Sequence, residues 1–462
     1  MRFYNTLTKQ VDEFKPINGN EVKMYTCGPT VYHYAHIGNL RTYINEDILE
    51  KSLNYLGYKV TRCMNITDVG HLTSDADTGE DKMVKGAKRE HKSVLDIASY
   101  YTEEFKKDCN KLNIKWPEIV VPATTQIDEY ILFIQDLEKK GYTYFSGGNV
   151  YFDTSKLDNY YKLTNQNEND LVEAVRDDVE VDENKKNKND FVLWFTKSKF
   201  DDQELKWDSP WGYGYPGWHI ECSAISLKYL GEYLDIHCGG VDNIFPHHTN
   251  EIAQTESRVG HKWCNYWFHP EHLNDETGKM SKSSGEFLTV SLLESKGYNP
   301  LAYRLFCLQT HYKKQLTFTY DALDQAQNLY DKLVNKVGTL NKENSEVNND
   351  NVSKYQNEFK EALENNLNTS NALTILFDVL KSDLNDAEKL YLVNDFDKVL
   401  SLNLIREKVQ RADHDEIMKL IEERNEAKKN KDFATADKIR NDLLEKGIVL
   451  LDTREGTTYK EA

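Results

Sequence analysis

Between residues 21 and 66 the hydrophobic spacing switches from a strand period to a helix period and back, and this stretch limits the fold more than any other. Glu21-Val22-Lys23-Met24-Tyr25 alternates as a short strand, and Thr26-Cys27-Gly28-Pro29-Thr30 breaks it. From Gly38 a helix is predicted, with Leu40, Ile44, Ile48 or Leu49, Leu53 and Leu56 near helical spacing and Gly57 as its stop. Residues 59–66 read as the next strand. A strand, helix and strand of these lengths form a parallel crossover, so an open α/β sheet is expected, with ligands beyond the carboxyl ends of its strands. His36-Ile37-Gly38-Asn39 falls at that edge. A helix N-terminus there offers unpaired N–H groups and a positive dipole end to a phosphate, although His36 alone reads as an ordinary hydrogen-bonded histidine.

A second stretch has matching chemistry. Lys279-Met280-Ser281-Lys282-Ser283 follows Thr277-Gly278 and precedes Ser284-Gly285, which predicts a loop carrying two compact cations and several hydroxyl donors. Such a loop can hold a polyphosphate, whereas a lone Lys/Ser cluster reads as a solvated turn.

Metal ligation is the third reading. In a helix beginning near Pro246, His247 and Glu251 stand at i and i+4 on one face and can share an ion, while His248 is expected to point about a hundred degrees away and stay out. Cys27 and Cys222 each follow an apparent strand at the same sheet edge and can add two thiolates. Two sulfurs, an imidazole and a carboxylate suit zinc, and buried thiols with a helix-capping histidine are the alternative that spacing leaves open. The acidic loop 68–81, with His71, lacks the spacing of a calcium loop and reads as a solvated insertion.

At 462 residues the chain has room for two to four domains, and 39% hydrophobic with 29% charged residues fits a soluble enzyme. No apolar run approaches the ~20 residues that cross a bilayer, and the N-terminus does not open a signal peptide, so a cytoplasmic protein without a membrane partner is expected. Seven scattered cysteines without a Cys-x-x-Cys pair argue against a disulfide framework. The net charge of −18 opposes a nucleic-acid partner only weakly, because phosphate contacts depend on local patches. Five segments are expected. They are the first half of the sheet domain (1–115), an inserted domain (116–206) with a helix at 125–140 and a hairpin at Ser146-Gly147-Gly148-Asn149, and the second half (207–297). An all-helical region (298–411) follows, with helical periods at 320–337 and 357–411 around a polar linker at 341–354, and then a small module (412–462). Further helices are predicted at 82–89 and 94–112.

Tyr25-Thr26-Cys27-Gly28-Pro29-Thr30-Val31-Tyr32, Gly217-Trp218-His219-Ile220-Glu221-Cys222, Phe245-Pro246-His247-His248-Thr249-Asn250-Glu251 and the lysine loop, taken with His36–Asn39, resemble the cysteinyl-tRNA synthetases of class I nearly end to end. The resemblance implies a Rossmann-like, doubly wound parallel-sheet catalytic domain with an inserted domain, then an all-α bundle and a small C-terminal module. It implies one zinc ion per chain on Cys27, Cys222, His247 and Glu251, and a substrate pocket of Cys27, Thr67, Trp218 and His219. ATP with Mg²⁺ is expected at His36, Gly38, Asn39, Gly239, Gly240, Asp242, Lys279 and Lys282, and catalysis at His36, Asn39, Lys279 and Lys282. Anticodon contacts are expected at Lys428, Phe433, Asp437 and Asp452. The implied partners are tRNA(Cys), ATP and L-cysteine, and the implied state is a monomer. The chain departs from the family pattern in places. Asn39 stands for a second histidine, Cys238 for a glycine, Glu271 and Glu286 for a glycine and an asparagine flanking the lysine loop, and Tyr459 for a tryptophan, which leaves a smaller stacking platform. The loop after Asp68 is also longer than in many relatives. Two other readings of the same residues are a ligase delivering cysteine to an amino sugar, which has no use for 320–462, and a non-catalytic tRNA-binding zinc protein, which has no use for the lysine loop.

Overall fold

The computed structural model describes residues 1–69, 93–164, 182–197, 204–275, 278–279, 287–341, 346–406, 414–430, 432–453 and 456–461. The helix expected at 82–89, the loop 70–81, the stretch 165–181, Met280 to Glu286 and part of the linker lie outside them. The chain divides into two compact units, Met1–Ile405 and Arg406–Ala462.

The first unit is built on five parallel strands in the spatial order Cys264–Phe268, Leu234–Cys238, Glu21–Thr26, Lys59–Ile66, Ile119–Pro122. Numbered along the chain this is 5-4-1-2-3, the doubly wound order, and it reverses between Glu21–Thr26 and Leu234–Cys238. Successive residues of a strand enter opposite cores. Val22, Met24 and Met64 pack under the helices Ile37–Tyr55 and Val94–Lys111, while Tyr25 and Cys63 face a second core that includes Ile220 and Ile252. Ile119–Pro122, within the segment expected as an insertion, is an edge strand of this sheet, paired with Lys59–Ile66. A separate antiparallel sheet follows, Thr143–Ser146, Asn149–Phe152, Phe191–Phe195, Tyr215–Pro216, and its first hairpin turns at Gly147-Gly148 as expected.

Helices Tyr320–Gly338, Asn349–Glu364, Thr369–Lys381 and Asp386–Leu400 form the bundle. Three expectations are corrected here. The segment 341–354 is not linker throughout: Asn348 caps a helix by accepting from the Asp350 N–H at 2.9 Å, so the Asn/Asp-rich run is a helix start. Among the described residues the single period at 357–411 is three helix pieces, broken at Asn366 and Leu367, which take positive φ, and again at 382–385, and the third piece stops at Ser401, also at positive φ. Asp68 is also no part of a solvated loop. It is 8% exposed and accepts from the Thr124 N–H (2.8 Å) and hydroxyl (2.6 Å).

A buried guanidinium ties the sheet domain to the bundle. Arg304 donates to Leu400 O (2.7 Å), Leu112 O (2.9 Å) and Asp47 Oδ2 (2.6 Å). Burial alone would raise the Asp47 carboxyl, yet Arg304 and Lys51 hold it below the usual carboxylate range. The second unit pairs helices His414–Lys429 and Phe433–Glu445 with an antiparallel hairpin, Ile448–Thr453 and Gly456–Glu461, over a core of Ile417, Ile421, Ile439, Leu443 and Ile448. No helix among the described residues is long and apolar enough to cross a membrane.

Replacing Arg304 by Met should cost about 3–5 kcal/mol in urea unfolding, since it strands a buried carboxylate. The double variant Arg304→Met/Asp47→Asn should recover part of that loss. Because Asp47 is depressed in the folded state, the pair's contribution is present above the unfolded carboxyl value near ~4 and lost as pH falls through the folded one. A loss under about 1 kcal/mol would contradict the latch.

Candidate metal and nucleotide site

At the point where the strand order reverses, a cavity of about 400 Å³ opens beyond the strand ends. Cys27, Gly28, Asn65, Trp218, Cys222 and His247 line one part of it, and His36, Gly38, Asn39, Gly239, Gly240 and Asp242 another.

The donors at the first part come from four elements. Cys27 follows Glu21–Thr26, and His247 and Glu251 straddle the start of helix Thr249–Val259. Cys222 does not follow a strand of this sheet. It rides inside helix Trp218–Leu230, and the strand before that helix, Tyr215–Pro216, belongs to the antiparallel sheet. Cys27 Sγ stands 3.8 Å from Cys222 Sγ, and His247 Nε2 stands 3.0 Å from Glu251 Oε1, the i,i+4 pairing read from the sequence. One donor atom from each of the four lies within 4.8 Å of every other, and all four residues are buried, so the cluster can hold a metal ion.

His248 is not excluded as expected. Phe245 is extended (φ −137°) and the chain makes a widened turn through Ile244–His248 before the regular helix. His248 Nε2 lies 3.9 Å from Glu251 Oε1, the oxygen that His247 also approaches, and 3.1 Å from Cys27 Sγ, which arrives from another element. A second set, Cys27, His237, His248 and Glu251, therefore has the same compactness. Only the first set has three members on the cavity wall, so only it offers an ion with an open face.

Strand register explains His237, which sequence reasoning missed. It sits in one row with Trp267 and Tyr25, on the face that meets the Glu251 helix, and its Nε2 is 2.8 Å from Glu251 Oε2. Its neighbour Cys238 turns to the opposite core and is fully buried there, so its thiol leaves the Gly239-Gly240 backbone at the cavity undisturbed. Burial opposes ionisation of Glu251, but His237 and His247 hold its carboxyl down to about 2. Burial likewise lowers His247, yet Glu251 and Cys222 lift it to about 10, and burial pushes the Cys27 thiol up. A metal must displace the His247 proton, so affinity falls as pH falls.

Asn65, also missed, fixes the cysteine turn. Its Oδ1 accepts from the Gly28 N–H (2.7 Å), and its amide donates to Thr67 Oγ1 (3.0 Å), which donates to Glu221 Oε2 (2.9 Å). A Cβ on Gly28 would lie 1.6 Å from the Asn65 carbonyl oxygen, so only glycine fits. Gly239 is held similarly, its Cβ position 2.7 Å from the His248 ring. Thr67 lies behind Asn65, and His219 behind His247 at 3.0 Å between their Nδ1 atoms; neither lines the cavity. Trp218 does, stacking on His247 at 4.2 Å.

In the other part, His36 caps helix Ile37–Tyr55 by accepting from the Asn39 N–H at 3.2 Å, and the Ile37 N–H donates to Leu288 O at 2.9 Å. Two of the end N–H groups expected to be free are thus engaged within the chain. Asp242 and His272 pair at 3.1 Å on the cavity wall. Lys279 pairs through its backbone with Asn274, and Lys282 lies outside the described residues. In the second unit Lys428 lies in the last turn of the first helix, Phe433 opens the second and is 63% exposed, Asp437 is exposed, and Asp452 lies on the hairpin. Tyr459 packs partly against the small core.

Residues 13–328 match the family described as tRNA synthetases class I (C) catalytic domain. The fold is similar to that of Mycobacterium tuberculosis methionyl-tRNA synthetase in complex with methionyl-adenylate, with a TM-score of 0.54 over 83% of this chain and 90% of that one, at 14% identity. The chain is 46% identical to the cysteine–tRNA ligase of Treponema denticola and 47% identical to that of Borrelia hermsii, in each case over 100% of this chain and 99% of the relative. It belongs to the cysteine–tRNA ligase family of class I.

Elemental analysis of purified variants distinguishes the two donor sets. Cys222→Ser and His247→Ala should lose most of the bound metal, and His248→Ala should keep most of it. Retention in Cys222→Ser with loss in His248→Ala would assign the ion to the second set.

Proposed function

We propose that the chain activates L-cysteine with ATP, releasing pyrophosphate, and transfers the cysteinyl group to the 3′ end of tRNA(Cys), as a cytoplasmic monomer. The observation that carries this reading is that Cys27, Cys222 and His247, three of the four donors gathered with Glu251, share one cavity with the His36-Gly38-Asn39 turn. When bound there, zinc supplies a soft acceptor for a thiolate. The donors fit it in kind, and the open face admits one more. Serine differs from cysteine by oxygen for sulfur, which shape separates poorly, and a hydroxyl ionises far less readily than a thiol. Thiol chemistry, with Trp218 beside it, thus selects the substrate.

Adenylation needs positioning and charge stabilisation rather than a general base. His36 and Asn39 stand at the helix terminus that meets the phosphates, Gly239-Gly240 and Asp242 border the nucleotide, Lys279 and Lys282 bring cations to the departing pyrophosphate, and Mg²⁺ accompanies ATP. Thr67 and His219 support the amino-acid pocket from behind. The second unit reads the anticodon through Lys428, Phe433, Asp437 and Asp452.

Pyrophosphate exchange into ATP tests the reading. Exchange should depend on cysteine, with serine at least about 10³-fold less effective. Lys282→Ala should cut the rate about 10²- to 10³-fold while cysteine binding is retained. Exchange that is indifferent to cysteine, or equal with serine, contradicts it.

A further inference from the structure

Arg41 lies on helix Ile37–Tyr55, two residues beyond Asn39, and its side chain is fully buried. Its guanidinium faces backbone. Nη1 donates to the carbonyls of Glu271, at 2.7 Å, and His272, and Nη2 donates to that of Lys314 at 2.7 Å. Among the described residues no carboxylate lies within ion-pair distance of it. A buried charge held by carbonyls alone is costly for stability, which makes the geometry it imposes the feature to explain.

That geometry is a junction. Glu271 and His272 lead into the strand Leu273–Asp275, and Lys314 leads into Leu316–Thr317, which pairs with it in parallel, Leu273 opposite Leu316. Asn274 pairs on its other side with Lys279. The same ribbon forms cavity wall: His272 and Leu273 line it, and Leu273 Cβ lies 3.7 Å from where a Cβ on Gly38 would be. The planar fork of Arg41 thus spans two backbone segments and sets the strand before Lys279 against the helix turn that presents His36 and Asn39.

We propose that Arg41 is a positioning residue for adenylation, which it serves by registering the Lys279 ribbon to the His36/Asn39 helix; this rests on the function proposed above. Arginine suits the task because five donors in a rigid plane can hold three carbonyls at once, whereas a lysine ammonium is a single point.

The test is a double-mutant cycle in cysteine-dependent pyrophosphate exchange on the full chain, with Arg41→Met, Arg41→Lys, Lys279→Ala and Arg41→Met/Lys279→Ala. Arg41→Met should lower kcat about 100-fold, the scale of a misplacement near 1 Å, with KM for cysteine and metal content unchanged. Arg41→Lys should recover little of it, and the double variant should lose scarcely more than Lys279→Ala alone, because both changes remove one arrangement. If Arg41→Met does not unfold cooperatively, Arg41→Lys takes its place in the cycle under the same criterion. Losses that multiply in the double variant, full recovery with lysine, or an unchanged kcat in a folded variant would each show that Arg41 only stabilises the fold. Absence of cysteine-dependent exchange in the wild type overturns the functional reading and this proposal together, whereas the other failures leave that reading standing.

Discussion

The carboxylate of Glu251 is the interaction on which the site depends. Fully buried, it accepts one histidine on each oxygen, His237 at 2.8 Å and His247 at 3.0 Å. An isolated carboxylate there would neutralise itself, and these two rings keep it charged. Because His237 belongs to the central sheet and His247 to the turn before helix Thr249–Val259, the pairing also docks that helix over the strand ends. Cys27 and Cys222 then close the cluster from two further elements. No single element holds the site, and the doubly wound topology brings the four together.

A division of labour follows from where the strand order reverses. One part of the cavity is lined by thiols and an imidazole that can hold a soft metal ion, and the other by the His36-capped helix terminus and the Gly239-Gly240 backbone. The helix Ile37–Tyr55 serves both tasks of positioning. Near its start Arg41 grips the ribbon that precedes Lys279, and further along Asp47 receives Arg304 from the helical region. Two buried arginines thus fix this helix against the parts of the chain added after the sheet.

Much of this was legible in residue spacing. The switch of period between residues 21 and 66 marked the crossover, and the i,i+4 relation of His247 and Glu251 survived because both lie at one helix start. What spacing could not show was anything decided by a partner element. Helical angle alone excludes His248, but it says nothing of a cysteine arriving from a strand. Cys222 reads as following a strand at the same sheet edge, but it lies inside helix Trp218–Leu230, and the strand before that helix joins another sheet. His237 and Asn65 gave no local signal, since their roles arise from register across the sheet and from the backbone approach at Gly28. Asn348 reads as linker because asparagine favours both loops and caps, and only the following helix distinguishes them.

The central claim is that an ion held by Cys27, Cys222, His247 and Glu251 selects the substrate through its thiol. It is tested most directly by replacing the metal with cobalt(II) and recording the visible absorption spectrum with cysteine and with serine, while binding is followed separately by equilibrium dialysis. Direct selection predicts that the thiolate-to-cobalt bands intensify on adding cysteine and do not change with serine. A spectrum that stays unchanged while cysteine is demonstrably bound would mean that the ion's ligand shell is closed to substrate, and that discrimination lies elsewhere in the cavity.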